Sequence, residues 1–365
     1  MDSMIFDNSL DYMEFWEQEI ESLEDDEEEN TFEPSIICAG NSGLRQLSPN
    51  VFADHTSDEE DVTSNAYLDS KKATILNQVN QMILLEQDGV KVFLMNSIRT
   101  NFTTSSSSTT RELFYKCPLN VTMDAFYKKL HQLFTSLNVL PSDLKIFTSP
   151  KGLIAGDLKI ILDNEVIIQC HVSVATTIPC QIENLKIETK AETIVLVEKD
   201  TVFEKLIEQK IFKKLENVIL LTGKGYPDIN TRLFLKKVLE LKKFQVYCLV
   251  DGDPYGIHIM TIYRYGSKAL NQASEQLSCP EIKWIGITPS EMRKFNLPKS
   301  PLTLVDQTKL NKMLEREYLN LNIKKELEIM KKIDAKTEIE YLSLPPFNYN
   351  LTDYIAQKIK DNLCI

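Results

Sequence analysis

Three short stretches carry side chains that could do chemistry. The apolar run Cys248-Leu249-Val250 ends in Asp251-Gly252-Asp253, followed by Pro254-Tyr255-Gly256. A second apolar run, Ile194 to Val197, ends in Glu198. A third, Val218 to Leu221, ends in Thr222-Gly223-Lys224-Gly225. Asp, Gly and Pro are ordinary turn residues, so DGDP alone also reads as a chain reversal. Three carboxylates at neighbouring strand ends are different. Their mutual repulsion is relieved most simply by a hard cation such as Mg2+, which prefers carboxylate and water oxygens. That outcome requires the first and third strands to be spatial neighbours.

The elements that would position these groups follow from the hydrophobic pattern. Continuous apolar runs at 194–197, 218–221, 246–250 and 284–287 alternate with helical patterns at 200–215, 229–243 and 255–271. Such runs predict a parallel sheet covered on both faces, with ligands beyond the carboxyl ends of the strands. No GxGxxG follows the first strand, which disfavours a dinucleotide site.

The preceding part of the chain is helical in pattern. Residues 67–88 place Ile75, Val79, Ile83 and Leu84 on one face, with Gly89 as the expected stop. A short helix is predicted around 92–98, then a flexible Ser/Thr loop at 103–108. Thr109 with Glu112 three residues later predicts a capping box, opening a helix RELFYK that ends before Pro118. Arg111 and Tyr115 fall one turn apart on it. Two readings fit Tyr115: a core aromatic beside Phe114, or a nucleophile whose phenolate or target phosphate Arg111 steadies. A further helix, 123–137, puts Phe126, Leu130, Leu133 and Phe134 on one side, and LKIFTS and KGLIAGDLKIIL read as strands.

Composition narrows the classes. The 365 residues carry a net charge of −12, but residues 1–65 hold 19 Asp and Glu against Arg45 alone. The remainder has 40 Lys and Arg against 34 Asp and Glu, a mildly basic body that permits nucleic-acid binding without demanding it. The acidic stretch, with Asp25 to Glu29 and Asp58 to Asp61, is expected to be disordered. Its one apolar cluster, around Phe15 and Trp16, reads as incidental or as a short partner-binding helix. Seven cysteines without a CxxC pair predict neither a disulfide framework nor a zinc site. No apolar run is long enough for a membrane span and no signal-peptide pattern opens the chain.

Taken together, TTRELFYK, KGLIAG, VEKD, TGKGYPDINTRLFLKK, DGDPYGI and YRYGS resemble the family of meiotic double-strand-break transesterases called sporulation-eleven, related to the A subunit of topoisomerase VI. The resemblance spans about residues 67–345. It implies an α/β fold: a winged-helix domain, 67–155, followed by a Toprim domain with a Rossmann-like parallel sheet, 156–345. An acidic extension (1–66) and a C-terminal segment (346–365) flank them. It implies a catalytic Tyr115 with Arg111, a Mg2+ site of Glu198, Asp251 and Asp253, and DNA contact by Lys151. It also implies a homodimer acting on duplex DNA in the nucleus, with the tyrosine of one protomer meeting the metal site of the other. The implied partners are other meiotic break factors and a topoisomerase VI B-like subunit. The alternatives are a Toprim nuclease using water and a non-cleaving DNA-binding scaffold.

Lys224, Tyr226 and Arg232 are expected near the DNA path, a solvated lysine being the plain alternative for Lys224. His258 is expected to be packed or solvent-facing rather than a metal ligand, and the pair Lys236-Lys237 a solvated helix face. The family's DADP reads DGDP here, so Gly252 predicts extra backbone freedom. The segment after Tyr115 is shorter than is usual in the family.

Overall fold

The computed structural model describes residues 58–365 apart from 149, 163–164, 183, 268–273 and 346. Most of the acidic extension therefore lies outside the described residues. Residues 58–66, expected to belong to it, form the first turns of the helix Asp58–Leu85.

Six strands form the central sheet: β1 (Leu153–Gly156), β2 (Thr176–Thr177), β3 (Thr193–Val197), β4 (Val218–Thr222), β5 (Gln245–Leu249) and β6 (Lys283–Gly286), in the order β6-β5-β3-β4-β1-β2. The four strands β6, β5, β3 and β4 are parallel, whereas β1 runs antiparallel to both β4 and β2. The strand β1 was expected at the end of the first domain. It belongs instead to this sheet, so a boundary at 155/156 would cut through it.

Continuous apolar strands arise here because both faces are covered. Ile194 and Leu196 point into one buried cluster with Ile257, Met260 and Met313. Val195 and Val197 point into the other with Phe203, Leu206 and Ile355. The period-2 alternation thus divides one strand between two cores. Helices Asp200–Glu208, Ile229–Leu241 and Pro254–Tyr265 connect the parallel strands. The first is shorter than predicted because Lys210 adopts a left-handed conformation (φ 59°) before the separate turn Ile211–Lys214.

The amino-terminal helices make a third core, with Ile75, Val79, Leu94, Ile98, Leu113, Phe126, Leu130 and Phe134 buried together. Gly89 does not stop the first helix, which ends at Leu85. It opens the next, Gly89–Thr103, whose N-cap Asp88 accepts the amides of Val90 and Lys91. Leu84, expected on the buried face, is exposed: nine residues after Ile75, it falls half a turn away from that face. The Ser/Thr stretch is a short loop, 104–107, between two regular elements. Thr103 ends the helix, and Ser108–Thr109 pairs in parallel with Ile146–Phe147. No disulfide links the six cysteines among the described residues, and no helix there is long and apolar enough to cross a membrane.

Candidate active site

The carboxyl ends of β3, β4 and β5 converge on Glu198. Its amide donates to the Leu249 carbonyl at 3.1 Å, continuing the β3–β5 ladder one residue beyond the strand. Its carbonyl accepts the Gly225 amide at 2.8 Å and the Thr222 hydroxyl at 3.2 Å, which ties down the β4 loop. Its carboxylate Oε2 accepts the Asp251 amide at 2.8 Å. The condition set by the sequence is therefore met: the strands carrying Glu198 and Asp251 are direct neighbours.

Asp251 is 4% exposed. Its Oδ1 accepts the Ile339 amide at 2.9 Å and its Oδ2 pairs with Lys199 at 2.8 Å. Asp253 caps the helix Pro254–Tyr265, accepting the Gly256 amide at 2.6 Å. Gly252 between them is pinned rather than free. Its amide and carbonyl both bond Thr337, at 2.9 and 3.1 Å, and a Cβ there would lie 2.8 Å from the Thr337 methyl.

Burial raises the proton affinity of all three acids, and neighbouring carboxylates add to it. Burial, then the charges of Asp251 and Asp253, push Glu198 well above the ordinary carboxylate range. Burial pushes Asp251 up to about 6 despite Lys199 and the Ile339 amide. Burial also raises Asp253 against the pull of the Gly256 amide and Lys336. Lys199 reaches Glu338 at 2.9 Å and Glu340 at 3.0 Å as well. Burial alone would lower its pKa, but these three carboxylates outweigh it and raise it. Among the described residues no three His, Cys, Asp or Glu close into a ready-made metal cage. The donor set still fits a divalent ion that keeps several waters and takes only one or two carboxylates directly, since such an ion offsets desolvated, mutually repelling charges.

Lys199 supplies part of that compensation. Lys199→Gln is expected to cost about 1–2 kcal/mol in EDTA, because Asp251 loses its charge partner. Millimolar Mg2+ should restore most of the lost melting temperature. A variant equally destabilised with and without metal would show that the acids need no cation.

Tyr115 lies on the helix Thr110–Lys116. The capping box forms as predicted: Thr109 Oγ1 accepts the Glu112 amide at 3.1 Å, and Glu112 accepts the Thr109 amide at 3.3 Å. Leu113 is buried and Phe114 packs edge-to-face on Phe126 at 5.5 Å between ring centroids. With this side anchored, the opposite side presents Arg111 and Tyr115 outward. Tyr115 is 74% exposed, so the core-aromatic alternative does not hold for its ring. Thr109→Ala removes one half of the box and should destabilise the helix by about 1 kcal/mol. Hydrogen exchange over 110–116 would then quicken, while exchange in β3–β5 stays unchanged.

The remaining candidates divide. Lys224 is exposed, in a left-handed conformation (φ 54°) held by its amide bond to Thr222 Oγ1 at 3.0 Å. Lys151 is half-buried, and its amide donates to Asp228 Oδ2 at 2.9 Å. Tyr226 and Arg232 require correction. Tyr226 is 3% exposed, and its hydroxyl bonds buried His258 Nδ1 at 2.9 Å. Arg232 is 0% exposed, its charge felt by the buried Tyr263 phenol. The Tyr226 hydroxyl ties the β4 loop to the helix Pro254–Tyr265, and neither side chain is presented at the surface. His258 is packed as expected. Sequence reasoning missed Lys199, Glu338, Glu340 and Gly256. Lys199 and Gly256 flank the motifs, but the glutamates come from 139 and 141 residues further on and carry no local signal.

Residues 193–359 match the Toprim-domain model of the family formed by the topoisomerase 6 A subunit and Spo11. The chain is 38% identical over 231 residues to mouse "Meiotic recombination protein SPO11", a match covering 61% of this chain and 58% of that protein. It is 34% identical over 278 residues to Drosophila melanogaster "Meiotic recombination protein W68", covering 75% and 83%. It is 36% identical over 227 residues to the A subunit of DNA topoisomerase 6 from Arabidopsis thaliana, covering 60% and 53%. The chain thus spans about six tenths of the mouse and human relatives it matches. With a Toprim domain carrying acids at the ends of adjacent parallel strands, the chain belongs to the Spo11/topoisomerase 6 A-subunit family, related to the A subunits of type IIB topoisomerases.

Proposed function

We propose that the protein makes meiotic DNA double-strand breaks by tyrosine transesterification, in the nucleus, to initiate homologous recombination. One observation carries this reading: an outward-facing tyrosine on a capped helix occurs in the same chain as three desolvated carboxylates at neighbouring strand ends. Tyr115 Oη attacks a backbone phosphorus. The new phosphotyrosine bond forms as the P–O3′ bond breaks, and the phenolic proton is balanced by the one taken up at the 3′ oxygen. The protein remains on the 5′ end, and the phosphoester energy is kept. Arg111, one turn from Tyr115, steadies the phenolate or the phosphate. Glu198, Asp251 and Asp253 would hold Mg2+, one or two of them directly and the rest through water, and the ion would supply stabilisation of negative charge at the leaving oxygen. Lys151 and Lys224 are the proposed DNA contacts.

In this reading residues 67–155, less β1, which belongs to the central sheet, act as a winged-helix domain, supported by the helical core and the Ser108–Thr109/Ile146–Phe147 strand pair. The Toprim domain with its surrounding elements runs on from β1 and takes in the helix Leu351–Lys360, whose Ile355 shares a core with β3, so the expected break at 345/346 does not end it. Leu113 and Phe114 pack in one core, whereas the strands bearing the acids pack in two others. In this reading the site is shared between protomers of a homodimer, which further break factors and a B-like subunit would join.

Mixing two inactive variants tests the shared site. Tyr115→Phe and Glu198→Gln protomers, each inert alone, should together nick one strand of a duplex, since a mixed dimer holds one complete site. Absence of nicks from a verified mixed dimer would place tyrosine and acids in the same protomer. Free, unlinked 5′ ends from the unaltered protein would instead indicate hydrolysis by water.

A further inference from the structure

A cavity of about 590 Å3 lies where the amino-terminal helices meet the sheet domain. Lys71 and Lys72 reach it from the helix Asp58–Leu85, Lys145 from the turn after Leu144, and Lys236 and Lys237 from the helix Ile229–Leu241. Two carboxylates share the lining, Asp143 and Glu240, and Asp69 lies 3.5 Å from Lys72 beside it, so the five lysines still outnumber the neighbouring acids. Asp143 is already engaged by Lys71 at 2.6 Å and by the Leu140 amide at 3.0 Å. None of the candidate active-site residues lines this space. Lys236 and Lys237, expected on a solvated helix face, are half-buried here. Gathering like charges costs free energy that an anion would return.

The chain carries a matching anion. Residues 1–57 hold 15 Asp and Glu against Arg45, including six consecutive acids from Glu24 to Glu29. We infer that this acidic run docks in the lysine cavity of its own molecule. Reach and charge both fit. The extension joins the described residues at Asp58, at the start of the helix whose Lys71 and Lys72 enter the cavity about 20 Å further along its axis. A coil of the length of residues 30–57 spans about 30 Å root-mean-square. An intramolecular ligand on such a tether has an effective concentration of about a millimolar, so a contact of modest intrinsic affinity is occupied. The docked run neutralises the cavity and competes with any external polyanion, duplex DNA included. Being electrostatic, it loosens as salt rises.

Carbodiimide cross-linking of the full-length chain at about 50 mM salt tests this at the scale of the Debye length. Mass spectrometry should find residues 24–29 joined mainly to the lysines that line the cavity, and a mixture of light and heavy isotope-labelled chains should show the joins within one chain. Replacing the six acids with Gln and Asn should remove those adducts and raise nonspecific duplex affinity about 10-fold at that salt. Adding Lys72→Gln, Lys145→Gln and Lys237→Gln should bring the affinity back down. Adducts spread over surface lysines in proportion to exposure, adducts between chains, or an affinity indifferent to the acidic run would each overturn the inference. The cross-linking arm needs no cleavage activity, so it can fail independently of the proposed transesterase function.

Discussion

On the proposed mechanism Tyr115→Phe is expected to abolish protein-linked DNA breaks, lowering their yield by at least about 1,000-fold, because the phenolic oxygen would be the atom that enters the new phosphodiester. Phenylalanine keeps the ring that contacts Phe114 edge-to-face at 5.5 Å. The hydroxyl sits on a ring 74% exposed, so its loss leaves no buried polar partner stranded. Stability should change by less than about 0.5 kcal/mol, as for other surface substitutions. The measurement is a denaturing gel of end-labelled duplex after protease treatment, beside a thermal melt. Breaks at an undiminished rate would sink the tyrosine mechanism and leave metal-assisted hydrolysis. Loss of breaks with a collapsed melt would be uninformative, but exposure and anchoring make that outcome unexpected.

A single methyl group at Gly256 should be nearly as damaging, for a reason visible only in three dimensions. A Cβ there would lie 2.8 Å from Glu198 Oε2, 2.7 Å from the Asp251 carbonyl and 2.9 Å from the Asp251 amide. Two of these three atoms are backbone, so the carboxylate must yield, and with it the 2.8 Å bond from the Asp251 amide. On the proposed function Gly256→Ala is therefore expected to weaken the proposed Mg2+ binding and to reduce break formation by about 100-fold, the scale of a misplacement near 1 Å. Alanine is otherwise the better helix former, by about 1 kcal/mol, which offsets part of the strain. Calorimetric titration of Mg2+ beside the activity assay separates the outcomes. Unaltered Mg2+ affinity together with full activity would mean that Glu198 does not need its present position.

Much of the scaffold was legible because it rests on local rules. The runs 194–197, 218–221 and 246–250 are strands within a residue or two of their expected limits, and Thr109 and Glu112 form their capping box. A capping box needs only four consecutive residues, and a doubly covered strand announces itself by an unbroken apolar run. Less legible were positions whose meaning depends on what packs over them. Tyr226 and Arg232 look, by type and place, like residues that meet phosphate, yet both are buried. Gly252 promised freedom and is clamped to Thr337, 85 residues away, by two backbone bonds. Leu84 extended a plausible stripe by one position too many.

Local chemistry fixes which residues end strands and cap helices: Glu198 after β3, Asp251 and Asp253 after β5, and Tyr115 one turn beyond Arg111. These outcomes are settled by hydrogen bonds and side-chain periodicity within a few residues. Long-range packing sets the rest: that β3 and β5 are neighbours, that Lys199 draws in Glu338 and Glu340, and that Gly256 leaves space for the Glu198 carboxylate. Strand order and long-range ion pairs are chosen by how whole faces bury against one another, and a contact spanning some 140 residues leaves no periodic trace in the residues that make it.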